Sequence, residues 1–249
     1  MRIITDSAAG AVLGRFHEWS VPTQDILASI EFYERLGFTQ AEARDVWPHP
    51  YAALTDGRIV VGLHQSPART ASLTFVLPDV ASRCSELEAR GFEITYRRTG
   101  AEVFHEIGLS DPSGQRVVVL EARTYSPADR SPAATSLCGY FCALGLAAPD
   151  FGAARRFWEP LGYVAADELQ EPYPHVRLTS DHLNIVFHRP SMHAGPLLVF
   201  AADDAVGRAA RLRDFGLAPR RLPGGPGTAD LALFEAPEGT RLLLLGAEI

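Results

Sequence analysis

Two spacings of apolar residues alternate along this chain. In "SVPTQDILASIEFYERLGF" a short apolar strand runs into a turn, and Ile26, Ile30, Tyr33 and Leu36 then recur at helical spacing. Asp25 stands where its carboxylate can cap the first turn of that helix, and Gly37 stands where a left-handed residue would close it. Farther on, "PYAALTDGRIVVGLHQSP" reads as strand, turn and strand, which predicts a hairpin. "LTFVLPDV" reads as a buried strand, a second helix ends at "EARGFE", and "DPSGQRVVVLEA" is a tight turn feeding an apolar last strand. The pattern is β-α-β-β, then β-α-β-β.

The second half of the chain repeats it. "GLAAPDFGAARRFWEPLGY" faces the first strand and helix with Asp150 and Gly162 in the matched places, and "FWEPLGY" follows "FYERLGF" at an interval of 125 residues. "PHVRLTSDHLNIVFHRP" matches the hairpin, "LLVFAADD" the buried strand, and "APEGTRLLLLGA" the last turn and strand. The stretch "RTYSPADRSPAATS" between the halves has linker composition. The chain therefore divides into residues 1–125, a linker over 126–136, and residues 137–249. Strands joined by short turns are antiparallel, which excludes a parallel doubly wound sheet.

Composition narrows the field. The net charge of −7 and the scattered arginine pairs (Arg97–Arg98, Arg155–Arg156, Arg220–Arg221) offer no clustered positive face for nucleic acid. All the basic residues are arginine. Three cysteines, Cys84, Cys138 and Cys142, form no disulfide framework, and the pair in "LCGYFCALGL" reads as buried. The N-terminal stretch lacks the pattern of a signal peptide, and no apolar run is long enough for a membrane span, so a cytoplasmic location is expected. "PGGPGT" (223–228) does not sit between a strand and a helix and reads as a loop near a cavity mouth.

The helix ending in Phe-Tyr-x-x-Leu-Gly-Phe behind an aspartate cap, followed by Asp-Pro-x-Gly at the end of the unit, resembles the vicinal oxygen chelate superfamily. That group includes glyoxalase I, extradiol dioxygenases and the fosfomycin- and bleomycin-resistance proteins. The resemblance covers nearly the whole chain. It implies an α+β fold of tandem paired βαβββ modules whose curled mixed sheets enclose a cavity. In the superfamily's metalloenzymes the cavity holds a divalent ion. Carried onto this sequence, the ligand positions of those enzymes fall on Glu18, Ala143, Val118 and Leu243, with the middle-strand positions near Ser72 and Pro196. Only Glu18 offers a strong donor, so no metal and no other cofactor is expected.

Two classes of function remain: a binding protein that sequesters a small aromatic or amphipathic molecule, such as a natural product, and a metal-independent lyase, isomerase or cyclase. A divergent metal-dependent glyoxalase or dioxygenase is a further alternative. The expected partner is a small molecule, with no nucleic acid and no membrane, and the chain is expected as a monomer or homodimer. Alternation on the first strand places Phe16, Glu18 and Ser20 on one face and Trp19 and Val21 on the other. Glu18 would then face the cavity as an acid or base, its pKa raised by burial. His105 is a second acid–base candidate if it shares the cavity face with Ile107 and Leu109. Trp47, His49 and Tyr51 in "VWPHPY", and Tyr173 and His175 in "EPYPH", form aromatic rims that could stack on a planar ligand. His64, matched by His188, ends an apolar strand beside a proline turn, where histidines commonly meet solvent. Arg116 and Arg241 begin the two last strands on the cavity face and could pair an anionic group. The second half has alanine where the first has Glu18, which places the main site in the first half.

Overall fold

The computed structural model describes residues 12–41, 47–67, 70–122, 136–217, 219 and 232–246. The inter-half linker up to residue 135 and the "PGGPGT" loop lie outside the described residues.

The first half forms β1 (Arg15–Pro22), α1 (Ile26–Arg35), β2 (Thr39–Gln40), β3 (Tyr51–Thr55) and β4 (Val60–His64), then β5 (Ser72–Leu77), α2 (Val80–Ala89), β6 (Tyr96–Arg98), β7 (Glu106–Ser110) and β8 (Arg116–Glu121). These are two βαβββ modules. The second half repeats the first module with β9 (Tyr140–Ala147), α3 (Phe151–Trp158), β10 (Val164–Leu169), β11 (His175–Thr179) and β12 (Ile185–His188). It continues with β13 (Leu197–Ala201), α4 (Ala205–Asp214), β14 (Ala232–Glu235) and β15 (Arg241–Leu245). The hydrophobic pattern missed β2, β6 and β10. Their residues are almost all exposed and lack the in–out alternation that marks a half-buried strand.

Each half makes one curled mixed sheet, with strand orders β2-β3-β4-β1-β5-β8-β7-β6 and β10-β11-β12-β9-β13-β15-β14. The two first strands of a half, β1 and β5 or β9 and β13, lie side by side and antiparallel at the centre. The cap residues behave as their chemistry requires: Asp25 Oδ1 accepts from the Ala28 amide at 3.0 Å, and Asp150 Oδ1 from the Ala153 amide at 3.1 Å. Gly37 and Gly162 close their helices at φ 87° and 99°. All three cysteines are buried, and burial pushes the Cys138 thiol up to about 12. No helix among the described residues is long and apolar enough to cross a membrane.

One continuous apolar core runs through both halves, containing Trp19, Tyr33, Leu36 and Phe75 from the first and Trp158, Leu161, Phe187 and Phe200 from the second. The repeated helix ending accounts for much of that continuity. Tyr33 Oη donates to Glu238 Oε1 at 2.7 Å in the last turn of the second half, and Ser29 Oγ donates to Glu238 Oε2 at 3.0 Å. Trp158, at the place matching Tyr33, donates its indole N–H to Asp111 Oδ2 at 3.3 Å in the last turn of the first half. Each half's first helix thus docks on the other half's final tight turn. The Leu137 amide bonds the Leu36 carbonyl at 2.7 Å, and Arg58 lies 3.5 Å over the Tyr140 ring.

Because the halves share a core and exchange buried hydrogen bonds, they should unfold together. Urea denaturation followed by tryptophan fluorescence and by far-ultraviolet circular dichroism is expected to give coincident single transitions. Tyr33→Phe is expected to lower stability by about 1.5–3 kcal/mol, since it removes a hydrogen bond from a buried hydroxyl to a carboxylate. Two separated transitions would show that the halves are independent.

Candidate functional site

Alternation on β1 holds from Glu18 onward and breaks before it. Phe16 pairs with Phe75 and Glu18 with Thr74 on β5, so His17 is an extra residue in a bulge. Phe16 therefore turns to the core side, its ring 5.5 Å from Phe75, instead of sharing a face with Glu18. Glu18 and Ser20 remain on the concave face, and Trp19 and Val21 pack under the helices.

Glu18 is fully buried. Its Oε1 accepts from Ser20 Oγ at 2.6 Å and from His64 Nε2 at 2.8 Å, and its Oε2 accepts from the Tyr51 hydroxyl. Ser20 is in turn bonded to Thr74 at 2.6 Å, and His64 Nδ1 meets His49 Nε2 at 3.0 Å. The carboxylate fixes a proton on His64 Nε2 and leaves Nδ1 for His49, which makes a chain from Glu18 through His64 to half-buried His49. Gly62 makes room for this arrangement: a Cβ there would lie 2.1 Å from Glu18 Oε2. Burial is the largest influence on Glu18 and acts to raise its pKa. The His64 hydrogen bond, the charges of His64 and His17, and the Ser20 hydrogen bond together outweigh it, so the carboxyl sits below its ordinary value. This reverses the raised pKa expected from burial alone, because the sequence pattern does not show that the strands bring donors to the carboxylate.

In front of this network lies a cavity of about 160 Å³ lined by Trp47, His64, Ser20, Ser72, Thr74, Glu106, Arg116, Val118 and Leu120, among others. Of the residues singled out in the sequence, Trp47, His64 and Arg116 reach its wall. Glu18 lies behind it; Tyr51 turns inward to Glu18, and His49 to His64. His64 is buried, contrary to the solvated strand end expected, and Trp47 packs edge-on against it with ring centroids 4.7 Å apart.

His105 does not line the cavity. β7 begins at Glu106, and Ile107 and Leu109 lie in the core, so the alternation puts Glu106 on the concave face. His105 instead bonds the Glu121 carboxylate at 2.6 Å and the Gly100 carbonyl at 2.8 Å. The Gly100 carbonyl first, and then Glu121, hold its pKa above the ordinary histidine value. Glu106 is the carboxyl that the sequence reading missed. Burial raises its pKa against the lowering influence of Arg98, Arg116 and Tyr96. Its alternation with Ile107 was the available signal, read with the wrong sense.

The second half builds the same positions from other residues. Ala143 stands for Glu18, Gly145 for Ser20, Val186 for Gly62 and Val199 for Thr74. Ala143 and Val186 belong to one small apolar cluster, so the valine takes up space that the first half gives to a carboxylate. Tyr173 and His175 are buried and do not form a rim. His188 is fully buried, its pKa pushed down to about 4, chiefly by burial. Arg241 bonds Glu235 at 3.1 Å and His193 at 2.6 Å. A larger hollow of about 400 Å³ lies between the end of α2 and α3, but Arg90, Glu93 and Arg156, its charged residues, are exposed and none of the singled-out residues lines it.

No protein-family model matches the chain, and no curated protein matches it in sequence. Solved structures match its fold. A catechol 2,3-dioxygenase aligns over 92% of this chain and 86% of its own at 14% identity, with a TM-score of 0.60. A variant of homoprotocatechuate 2,3-dioxygenase from B. fuscum, in complex with HPCA, aligns over 100% of this chain and 75% of its own at 14% identity and a TM-score of 0.63. The Mn(II)-bound glyoxalase from Novosphingobium aromaticivorans aligns over 94% and 83% at 16% identity and a TM-score of 0.61. The chain has the fold of the vicinal oxygen chelate superfamily, two curled sheets of paired modules.

The glyoxalase neighbour is Mn(II)-bound, and the donor set at the matching place in this chain does not fit a divalent ion. The oxygens of Glu18 are occupied by Ser20, His64 and Tyr51, and Val118, Ala143 and Leu243 supply no donor. Among the described residues no three His, Cys, Asp or Glu side chains are grouped to hold a metal ion.

Two tests follow. Gly62→Val should be strongly destabilising, because its side chain collides with Glu18. Adding Glu18→Ala, which recreates the second-half pair, should recover most of the loss in a double-mutant cycle. Additive losses would mean the two positions do not share the space. Acid should weaken the fold in two windows. His188 has a folded pKa below its unfolded value of 6.5, so its contribution is full above 6.5 and is lost as pH falls from there to about 4. Glu18 has a folded pKa below 4.5, so its contribution is lost only as pH falls below about that value. His188→Gln should flatten the first window and Glu18→Gln the second, read as midpoints of urea denaturation against pH.

Proposed function

We propose that the first half binds a small molecule the size of a single ring in the cavity before Glu18 and His64. One observation carries this reading: the wall is polar and pre-organised in one half, whereas the matched positions of the other half are apolar and filled. The hydrogen-bonded hydroxyls of Ser20 and Thr74, Ser72 and the imidazole of His64 stand beside Trp47, Val118 and Leu120. That mixture suits an aromatic or amphipathic molecule with hydrogen-bonding groups. Size narrows the choice. A cavity of about 150 Å³ accommodates benzene, whereas sites for drug-sized ligands run from about 300 Å³. In this reading Glu18 is a positioning residue: it holds His64 and Tyr51 and does not touch the ligand.

A second reading is favoured by the chain from Glu18 through His64 to His49. It is a path by which a proton can leave the neighbourhood of the cavity wall, as metal-independent acid–base catalysis would need. On this reading Glu18→Gln keeps ligand affinity and abolishes turnover, and on the first it has no turnover to abolish. A metal-dependent reaction like those of the solved neighbours would need donors supplied from elsewhere. It is tested by elemental analysis of the purified protein and by assay before and after a chelator.

The binding reading is checked by calorimetry with phenol and with 2-naphthol. Phenol is expected to bind at one site per chain and the two-ring compound far more weakly. Leu120→Trp, which fills the cavity, should abolish phenol binding, with circular dichroism confirming that the variant is folded. Equal binding of both compounds, or binding indifferent to Leu120→Trp, would place the ligand elsewhere.

A further inference from the structure

Arg116 and Arg241 begin the last strands of the two halves, yet their guanidinium groups are held differently. On β14, Glu235 lies directly across from Arg241, and the two are bonded at 3.1 Å. On β7, the residue directly across from Arg116 is Ser110, whose hydroxyl turns to the Asp111 carbonyl. The Arg241 guanidinium also donates to His193 at 2.6 Å. The Arg116 guanidinium makes no hydrogen bond and no ion pair with any described residue, although it senses the Glu106 carboxylate electrostatically. Glu106 itself lies across from Arg98 on β6, farther along the wall. This cation, without a hydrogen bond or ion pair among the described residues, lines the first-half cavity and is exposed at its rim.

We infer that Arg116 is the specificity residue of the first-half cavity and that it selects a ligand bearing an anionic oxygen group, a carboxylate or a phosphate, on a single-ring body. The inference rests on the proposed binding function and names the ligand class. Three features argue for it together. The guanidinium is a fork of fixed donors suited to two oxygens of one anion. Serine in place of the glutamate of the other half leaves that fork without an internal partner. Behind it the wall continues with the hydroxyls of Ser72 and Thr74 and the apolar Val118 and Leu120, so an anion at the rim would direct its ring inward. Among the described residues, the charged or titratable groups on the cavity wall are His64, Glu106 and Arg116. Of these, Arg116 carries a fixed positive charge, and His64 already gives its Nε2 proton to Glu18.

The test is calorimetry with benzoate, phenyl phosphate and neutral benzyl alcohol against the unaltered protein, Arg116→Gln, Arg241→Gln and Ser110→Glu. Arg116→Gln should weaken benzoate or phenyl phosphate by roughly ten- to a hundredfold and leave benzyl alcohol unchanged. Ser110→Glu, which supplies the internal partner that Arg241 has, should weaken the anions in the same sense. Arg241→Gln should change nothing. Whichever anion loses more on Arg116→Gln identifies the group as carboxylate or phosphate. Benzyl alcohol binding with anion affinity indifferent to Arg116→Gln and Ser110→Glu would overturn the inference while the proposed cavity stands. Failure of all three compounds to bind would overturn both.

Discussion

A carboxylate taken fully out of water sets the terms for the first half of this molecule. Removing one partner from a buried ion costs about 3–5 kcal/mol, because the remaining charge has no solvent to turn to. Glu18 on β1 is held by Tyr51 on β3, by His64 on β4 and by Ser20, which Thr74 on β5 holds in turn. Four strands must keep their register for that one group to stay satisfied. A slip of a single residue would turn its partners to the opposite face. The polar cavity wall is therefore a by-product of a constraint that reaches through the middle of the sheet.

The other half answers to a different constraint. With Ala143 and Val186 in one apolar cluster, it carries no buried charge at this place, yet among the described residues it repeats the strand and helix plan apart from a counterpart of β6. The exchange of helix ends supplies a reason. Tyr33 and Ser29 depend on Glu238, and Trp158 depends on Asp111, so neither half can lose its final turn without stranding buried polar groups of the other. The repeated "FYERLGF" and "FWEPLGY" are thus the two sides of one reciprocal joint. A concave face can diverge while the helical faces cannot.

What the sequence revealed and what it hid divide along sequence distance. The repeat, the aspartate caps, the closing glycines and the hairpins are local, and each has a chemical signature within a few residues. Position by position, the match of His64 to His188 and of Arg116 to Arg241 also came from the repeat. The bulge at His17 was not legible, because nothing in "RFHEW" requires an extra residue until β5 is laid beside it. The choice between His105 and Glu106 turned on where β7 begins, which an exposed lead-in does not mark. The sign of the Glu18 shift was hidden for the same reason: burial could be inferred from one strand, whereas the largest compensating partner, His64, comes from β4.

The differences between the halves are coupled pairs of residues. Glu18 is accompanied by glycine at 62 and Ala143 by valine at 186, so charge and volume are exchanged together on neighbouring strands. Arg116 is accompanied by serine at 110 and Arg241 by glutamate at 235, so a rim cation is left open in one half and closed in the other. Random erosion of a redundant copy would leave clashes and unpaired charges at such positions. Both pairs instead move the same way: the first half keeps an ion buried and presents a charge at its rim, and the second fills the interior and neutralises the rim. Two matched compensations in one direction are what separate tasks for the two halves would produce, with the buried carboxylate, the hydroxyls and the open rim cation all in the same half.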